Sequence, residues 1–383
     1  MSSTQSASGL TNESSPRTDG AYGAIKAPRG YIPVIDGLRA VSISFVLLGH
    51  FGLGHIVPGG FGVTVFFLIS GFLITRLLLN EIASTGSLKL TEFYARRFAR
   101  LAPALVVFIL LTISARELIS ERVPMVEVAA SALYMMNYYR IYFDAYLAHS
   151  GQSGISTLGI LWSLAVEEHF YILFPIFLAW LIRRRMAMSA MLLAVVVALA
   201  WRVVLRGVIH VGDEYTYMAT DTRFDSILYG SILALLFQNI YPESAIQKWV
   251  CSRFVVSAAL AVILLTFVIR TPFLRETLRY SVQGLALMPI VAALTYRPEQ
   301  KGLSFIHHLL ISKPLIFIGK LSYSLYLWHY SGIAMAAYLL PRASSIHRLP
   351  LSVSIAIVLS LASYFCVERS FISLRRRLGS GVR

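Results

Sequence analysis

The sequence predicts an all-α polytopic membrane protein with about ten transmembrane helices and one further helix that lies at the outer face without spanning. Its 383 residues are 57% hydrophobic and 14% charged, whereas roughly 25% of residues are charged in soluble domains. Apolar runs of about 20 residues, long enough to cross a bilayer, recur along most of the chain. Loops rich in Lys and Arg alternate with loops that are poor in them, which indicates repeated crossings.

The two ends of the chain differ from the rest in composition. Residues 1–30 are rich in Ser, Thr and Gly and lack the apolar core of a signal peptide, so they predict a disordered cytoplasmic tail. Residues 31–372 form the predicted membrane domain, and residues 373–383 form a basic cytoplasmic tail.

Ten apolar segments predict the transmembrane helices: 33–55, 59–80, 99–118, 158–182, 187–206, 222–240, 251–270, 277–296, 321–340 and 350–372. An eleventh segment, 126–142, is shorter and contains Glu127 and Arg140. If it does not cross, the cytoplasmic loops and helix ends contain 22 Lys and Arg residues and those on the outer side contain 11, when Arg39 is not counted. We therefore expect ten crossings, both termini in the cytoplasm and residues 126–142 at the outer face.

The net charge of +15 does not predict a nucleic-acid partner, because the positive-inside rule accounts for the basic loops of a membrane protein. Membrane lipids are the expected surroundings. Cys251 and Cys366 are far apart and lack the spacing of metal ligands, so neither a disulfide framework nor a metal site is predicted.

The first span, "DGLRAVSISFVLLGH", contains ionisable residues that are costly in hydrocarbon. Arg39 and His50 are eleven residues apart, about 16 Å along a helix and close to one face. Asp36 shares that face. His50 is a candidate catalytic base, or a histidine packed through hydrogen bonds. Arg39 is a candidate functional cation, or a residue whose side chain reaches the interface.

Three other segments contain candidate site residues. "LWSLAVEEHFYILFP" carries Glu167, which either orients a histidine or marks an interfacial helix start. "FYARRFARLAP" carries Arg96, Arg97 and Arg100, which either grip phosphates or only determine topology. "GKLSYSLYLWHY" carries Lys320 at the cytoplasmic edge, with Tyr326 and His329 on one face. His329 is as consistent with a structural hydrogen bond as with catalysis.

A further segment, "DTRFDSILYG", carries Arg223 and Asp225 at the predicted outer end of the sixth span. We expect these two residues to lie at an outer mouth, where they would hold a sugar. Motifs of nucleotide hydrolysis, α/β-hydrolases and zinc proteases are absent from the sequence.

Together these stretches and "GGFGVTVFFLISGFLIT" resemble the acyltransferase-3 family of integral membrane O-acyltransferases, which modify bacterial surface sugars and some antibiotics. The resemblance covers about residues 31–370. It implies ten spans, essential roles for Arg39 and His50, an arginine motif at Arg96, Arg97 and Arg100, and a tryptophan-linked acid at Glu167. Some members carry an extracytoplasmic esterase-like domain. This chain stops at Arg383, so we expect it to deliver acyl groups itself or to pass them to a separate extracytoplasmic partner.

The resemblance implies an acyl-CoA-dependent O-acyltransferase of the bacterial inner membrane, with acetyl as the expected acyl group and no permanently bound cofactor. Acyl-CoA would be the co-substrate, and its phosphates would meet Arg96, Arg97, Arg100, Lys320 and Arg39. His50 would act as general base on an acceptor hydroxyl while Glu167 holds its tautomer. A covalent acyl-histidine remains an alternative. Arg223, Asp225, Tyr326 and His329 would contact the acceptor.

The expected acceptor is a cell-surface or exported polysaccharide or glycolipid, which can be lipid-linked. A small secondary metabolite is the alternative acceptor. A transporter or flippase of lipid-linked sugars also needs polar groups at the midplane, but the two halves of this sequence show no internal repeat. A scaffold would leave the shared face of Arg39 and His50 unexplained.

Overall fold

The computed structural model describes residues 30–144, 156–238, 245–269, 271–300 and 302–371. Every regular element within these ranges is helical. This confirms the predicted all-α class. Residues 1–29 and 372–383 lie outside the described residues, so the two predicted tails stay predictions.

The chain folds into long helices joined by short connections. In chain order the helices are α1 (Pro33–Leu48), α2 (Gly59–Thr85), α3 (Leu90–Leu118), α4 (Met125–Ala132), α5 (Met136–Tyr139), α6 (Trp162–Arg183), α7 (Ala187–Val204), α8 (Asp213–Met218), α9 (Thr220–Phe237), α10 (Ala245–Val250), α11 (Arg253–Val268), α12 (Pro272–Glu276), α13 (Leu278–Tyr296), α14 (Ser304–Leu310), α15 (Lys313–Leu339) and α16 (Ser345–Ser363).

Each of the ten predicted spans corresponds to a long helix. Within the described residues, seven are long and apolar enough to cross a membrane: Pro33–Leu53, Gly59–Thr85, Leu90–Leu118, Thr157–Arg183, Ala187–Ile209, Leu278–Tyr296 and Ser345–Glu368. The other three predicted spans are α9, α11 and α15. A multi-pass membrane protein is therefore confirmed, while the count of ten stays a prediction.

Segment 126–142 does not form a spanning helix. It folds as α4, of 8 residues, and α5, of 4 residues, separated by a break where Tyr134 has φ 56°. Eight residues rise only about 12 Å, far less than the roughly 30 Å of a hydrocarbon core. The single non-spanning helix that we predicted is thus two short helices.

Helix directions follow from two pairs of contacts. The Cβ of a residue at Gly319 would lie 1.9 Å from the Asp36 carbonyl oxygen, and His50 meets His329, so α1 and α15 run parallel. Tyr94 bonds to Ile172 and Arg97 pairs with Glu168, so α3 and α6 run antiparallel. Successive crossings alternate in direction, so an odd number of crossings separates parallel helices and an even number separates antiparallel ones. Seven predicted spans lie between α1 and α15 and none lies between α3 and α6, and both numbers hold only if segment 126–142 does not cross.

A π-helical turn, Gly49–Leu53, ends the first span. Gly52 there has φ 101°, a conformation that favours glycine. Gly49 packs directly on Gly59 at the start of α2, where an added Cβ would lie 2.8 Å from the Gly59 Cα atom. His50 is therefore held at the junction between the first two spans.

Candidate active site

A cavity of about 480 Å³ lies between α1, α2, α3, α6 and α15. Its wall along α2 is mainly apolar but includes Ser70, Arg76 and Asn80, and the rest of its polar lining comes from other parts of the chain. The polar and ionisable lining residues include Tyr31, Arg39, Ser70, Arg76, Asn80, Arg97, Arg100, Ser163, Glu167, Tyr171, Ser322, Tyr323 and Tyr326. A charged lining inside a membrane bundle marks a functional cavity. We call it the central cavity.

The basic end of the bundle, defined by Arg39, Arg100 and Lys320, adjoins the central cavity. All three line a second cavity of about 330 Å³, and Arg39 and Arg100 line both. Arg39 bonds only loosely to Asp36, at 3.3 Å, and Lys320 is exposed with its Nζ 5.6 Å from the centre of the Tyr31 ring. The structure thus brings together three of the predicted cofactor-binding and catalytic cations.

Arg97 lies deeper and is engaged within the protein. Its Nε is 3.4 Å from the Glu168 carboxylate, and its guanidinium stacks on the Tyr171 ring at 3.2 Å. Two protein partners therefore already hold this cation. Arg97 lines the central cavity with its guanidinium already engaged on two sides.

Arg96 does not line the described cavities. Its guanidinium pairs with Glu81 and Glu92, each at 3.2 Å. The ion pairs of Arg96 direct its guanidinium towards Glu81 and Glu92, whereas Arg97 lines the central cavity. The prediction that Arg96 binds the cofactor is therefore not supported by its position.

Glu167 faces the central cavity, but it does not bond to His50 as predicted. Its carboxylate accepts hydrogen bonds from Ser70 at 3.0 Å and from Tyr171 at 3.1 Å. The predicted pair fails because α6 places Glu167 one turn beyond Ser163, on the basic side of Tyr326, whereas His50 lies on the other side. The partner of His50 is another histidine.

His50 and His329 form a hydrogen-bonded pair at what we call the histidine end of the bundle. His50 Nδ1 lies 2.9 Å from His329 Nε2, and His329 Nδ1 lies 2.7 Å from the Tyr326 carbonyl oxygen. The two ring planes are 13° apart and their centroids 5.0 Å apart, so the rings meet edge to edge through this hydrogen bond. His329 is fully buried, whereas His50 is exposed.

The two distances assign the tautomers of the neutral pair. A carbonyl oxygen only accepts, so His329 Nδ1 carries the proton that it donates to Tyr326. His329 Nε2 must then accept, so His50 Nδ1 donates to it. The arrangement leaves a lone pair on His50 Nε2, the nitrogen of an exposed side chain, which is what a general base requires.

Tyr326 separates the central cavity from the histidine pair. Its hydroxyl donates to the Ile160 carbonyl at 2.6 Å and accepts from Ser163 at 2.7 Å, while its carbonyl holds His329. Tyr326 lines the cavity with its side chain. One residue therefore touches both parts of the candidate site.

Arg223 and Asp225 do not form the predicted outer mouth. Asp225 is fully buried and pairs through both carboxylate oxygens with Arg202, at 2.9 and 2.7 Å. Arg223 is also fully buried, with its guanidinium carbon 3.9 Å from the centre of the Tyr280 ring, and it donates a hydrogen bond to the Thr64 hydroxyl oxygen. Both are enclosed because α9 packs between α2, α7 and α13. Both charged side chains therefore contact other residues inside the bundle and not an outer surface.

Sequence reasoning missed Ser70, Ser163, Tyr171 and Arg202. Spacing could have suggested Tyr171, since it lies one turn after Glu167 on the same helix face. Arg202, a charge within an apolar span, carried the same signal as Arg39. Among the residues that the structure describes, no three His, Cys, Asp or Glu side chains group closely enough to hold a metal ion.

The fold and site define a class of protein, a multi-pass helical membrane protein with a charged cavity that opens at a basic end and is closed by Tyr326, whose carbonyl oxygen holds a histidine pair. The chain belongs to the acyltransferase-3 family, whose model, described as an acyltransferase domain, matches residues 32–367. The match confirms the family that the six sequence motifs predict.

The O-acetyltransferase OatA of Staphylococcus aureus (strain NCTC 8325 / PS 47) is 33% identical over 321 residues, which cover 79% of this chain and 51% of that protein. A protein of Staphylococcus aureus (strain COL), named as a provisional O-acetyltransferase, is 32% identical over 353 residues, covering 89% of this chain and 57% of its own length. The chain therefore spans about half the length of these relatives. No solved structure matches it.

Proposed function

We propose that the chain transfers an acetyl group from acetyl-CoA to a hydroxyl of a cell-surface or exported polysaccharide or glycolipid. In this proposal it resides in the bacterial inner membrane with both termini in the cytoplasm. The relatives' names support the acetyl group and the oxygen acceptor. The observation that carries the proposal is a cavity that is basic at one end and bounded at the other by Tyr326, whose carbonyl oxygen holds the histidine pair that leaves a lone pair on His50 Nε2.

The basic end suits the phosphates of CoA. Arg39, Arg100 and Lys320 contribute three positive charges, against which the same cavity presents Asp36 and Glu368. Arginine donates in a planar fork that matches phosphate oxygens. A phosphate bound there would let the pantetheine arm enter the central cavity, whose α2 wall is mainly apolar, and carry the thioester towards Tyr326.

The histidine pair supplies the base. His50 Nε2 would take the proton from the acceptor hydroxyl as that oxygen attacks the thioester carbonyl carbon. The carbon–sulfur bond then breaks, and the CoA sulfur receives the proton from the His50 imidazolium. His329 assists by accepting from His50 Nδ1, which orients the ring and favours its cation.

The test is acetyl transfer by purified protein in lipid nanodiscs, measured as release of the CoA thiol and as acetyl ester on an added surface polysaccharide. His50→Ala should lower turnover by at least about 100-fold, the low end for loss of a general base. His55→Ala is the matched control, because His55 is an exposed histidine five residues further along.

Ordinary turnover in the His50→Ala protein would overturn the proposed base. If the wild-type protein moved a lipid-linked sugar and never cleaved acetyl-CoA, the protein would instead be a transporter.

A further inference from the structure

A separate cavity of about 390 Å³ lies at the histidine end, between the start of α2, α8 and the junction of α12 and α13. We infer that this cavity binds an uncharged sugar unit of the acceptor. The inference rests on the proposed function and names the acceptor's binding site. We call it the tyrosine cavity, after Tyr217 and Tyr280 in its wall. Its volume falls within the range of small-molecule sites.

The tyrosine cavity adjoins the segment that holds His50. Gly60 lines it, and an added Cβ at Gly60 would lie 2.9 Å from the Tyr217 hydroxyl oxygen. The preceding residue, Gly59, is packed against Gly49, next to His50. A chain of sugars anchored in the cavity would therefore have neighbouring units close to the histidine pair.

The charges of the lining select against an anionic ligand. Three carboxylates, Asp213, Glu214 and Glu276, face two guanidiniums, Arg275 and Arg279. The formal sum of these groups is −1, so a phosphate or a carboxylate gains little there. A neutral polyhydroxyl compound suits a mixture of donors and acceptors.

Two charged side chains of the tyrosine cavity, Arg279 and Glu214, are positioned to bind a ligand. Glu276 is occupied by Arg275, Thr216 and Tyr280. Within the described part of the chain, Arg279 and Glu214 form no ion pair with each other or with any other residue. Arg279 can donate to hydroxyl oxygens, and Glu214 can accept from hydroxyl groups.

An aromatic wall completes the site. The Tyr217 ring lies 4.8 Å from Trp162 and 6.3 Å from Tyr280, centroid to centroid, and the Arg279 guanidinium carbon lies 5.3 Å from the Tyr280 ring. Aromatic rings offer large, rigid apolar faces beside a polar hydroxyl. The C–H face of a sugar ring can lie on such a surface while its hydroxyls reach Arg279 and Glu214.

The experiment measures binding to the full chain in nanodiscs by calorimetry, with chitotetraose as the neutral probe and glucose 1-phosphate as the anionic one. Wild-type protein should bind chitotetraose and bind glucose 1-phosphate more weakly. Arg279→Ala and Glu214→Ala should each weaken chitotetraose binding by about tenfold, the loss of one hydrogen bond to a charged group. Neither variant should change the affinity for acetyl-CoA.

Arg122→Ala is the control, because Arg122 is an exposed arginine at the same end of the bundle. Its affinity for chitotetraose should equal that of the wild type. Unchanged affinity in both cavity variants, a wild type that does not bind chitotetraose, or tighter binding of the phosphate would each overturn the inference. Correct binding without acetyl transfer would refute the proposed reaction and leave the sugar site standing.

Discussion

The arginines of "YARRFAR" have different surroundings although they lie within two turns of one helix. Arg96 pairs with Glu81 and Glu92, Arg97 pairs with Glu168 and Tyr171, and Arg100 lies where two cavities meet. The ion pairs of Arg96 and Arg97 contribute to folding, whereas Arg100 lines both cavities, where a bound phosphate would lie beside it. Replacing these residues should therefore have different consequences.

Arg100→Ala should raise the KM for acetyl-CoA by about tenfold, because it removes a charge-assisted contact to phosphate. The difference from wild type should shrink as salt rises, since salt screens exposed charges. KM measured across a salt series checks this. Arg97→Ala should instead destabilise the fold by about 3–5 kcal/mol, because it leaves Glu168 without its partner.

Thermal unfolding in detergent separates the two variants. An unchanged KM in Arg100→Ala would contradict a role of Arg100 in binding phosphate. An unchanged melting temperature in Arg97→Ala would contradict a role of Arg97 in stabilising the fold.

His329 should act through His50. His329→Ala removes the acceptor for His50 Nδ1, so we expect kcat to fall by about 10- to 100-fold with little change in KM. His329→Gln keeps an amide oxygen that can accept the same hydrogen bond. It should recover part of the lost kcat, and steady-state kinetics of both variants checks this. A glutamine variant no better than the alanine variant would mean that His329 serves packing alone.

For single residues, the sequence predicts which polar side chains lie within the membrane spans, but it does not predict which residues they contact. Intramembrane charges and helical spacing identified Arg39, His50, Glu167 and His329. The pairing of His50 with His329 joins residues 279 positions apart and depends on the parallel packing of α1 and α15. Arg223 and Asp225 were misplaced because α9 is covered on all sides, a property of its neighbours.

At the scale of elements, helices α2 and α9 pack with their backbones almost in contact. An added Cβ at Gly71 would lie 1.9 Å from the Ile227 carbonyl oxygen, and one at Gly230 would lie 1.8 Å from that of Leu68. Small residues allow such approach between membrane helices. Hydropathy predicted both helices but could not predict their distance, since an apolar stretch does not reveal which face meets a neighbour.

Gly71→Val should separate α2 from α9 and lower the melting temperature, because a backbone atom occupies the space that the new side chain needs. We expect a loss of roughly 1–3 kcal/mol or more, the cost of overpacking a core. Thermal unfolding in detergent measures the loss. Gly212→Ala is the control, because an added Cβ there meets nothing within 4 Å. Equal stability of the two variants would show that the α2–α9 interface can shift without cost.

At the scale of the whole molecule, the directions of the helices bear on how often the chain crosses. Because α1 and α15 run parallel and α3 and α6 run antiparallel, segment 126–142 has to begin and end on the same side of the membrane. The Lys and Arg count leads to the same conclusion from charge alone. The charges of the loops and the contacts inside the bundle thus indicate the same topology independently.

This topology predicts opposite labelling of two single-cysteine variants. In a background where Cys366→Ser removes the exposed thiol, Arg122→Cys should react with a membrane-impermeant maleimide on intact spheroplasts. Arg185→Cys should react only after the membrane is opened. Native Cys251 can remain, because its side chain is fully buried and the reagent cannot reach the thiol. Labelling of both positions from outside would mean that segment 126–142 crosses, and it would also reverse α6 and the helices after it, so that α1 and α15 could not run parallel.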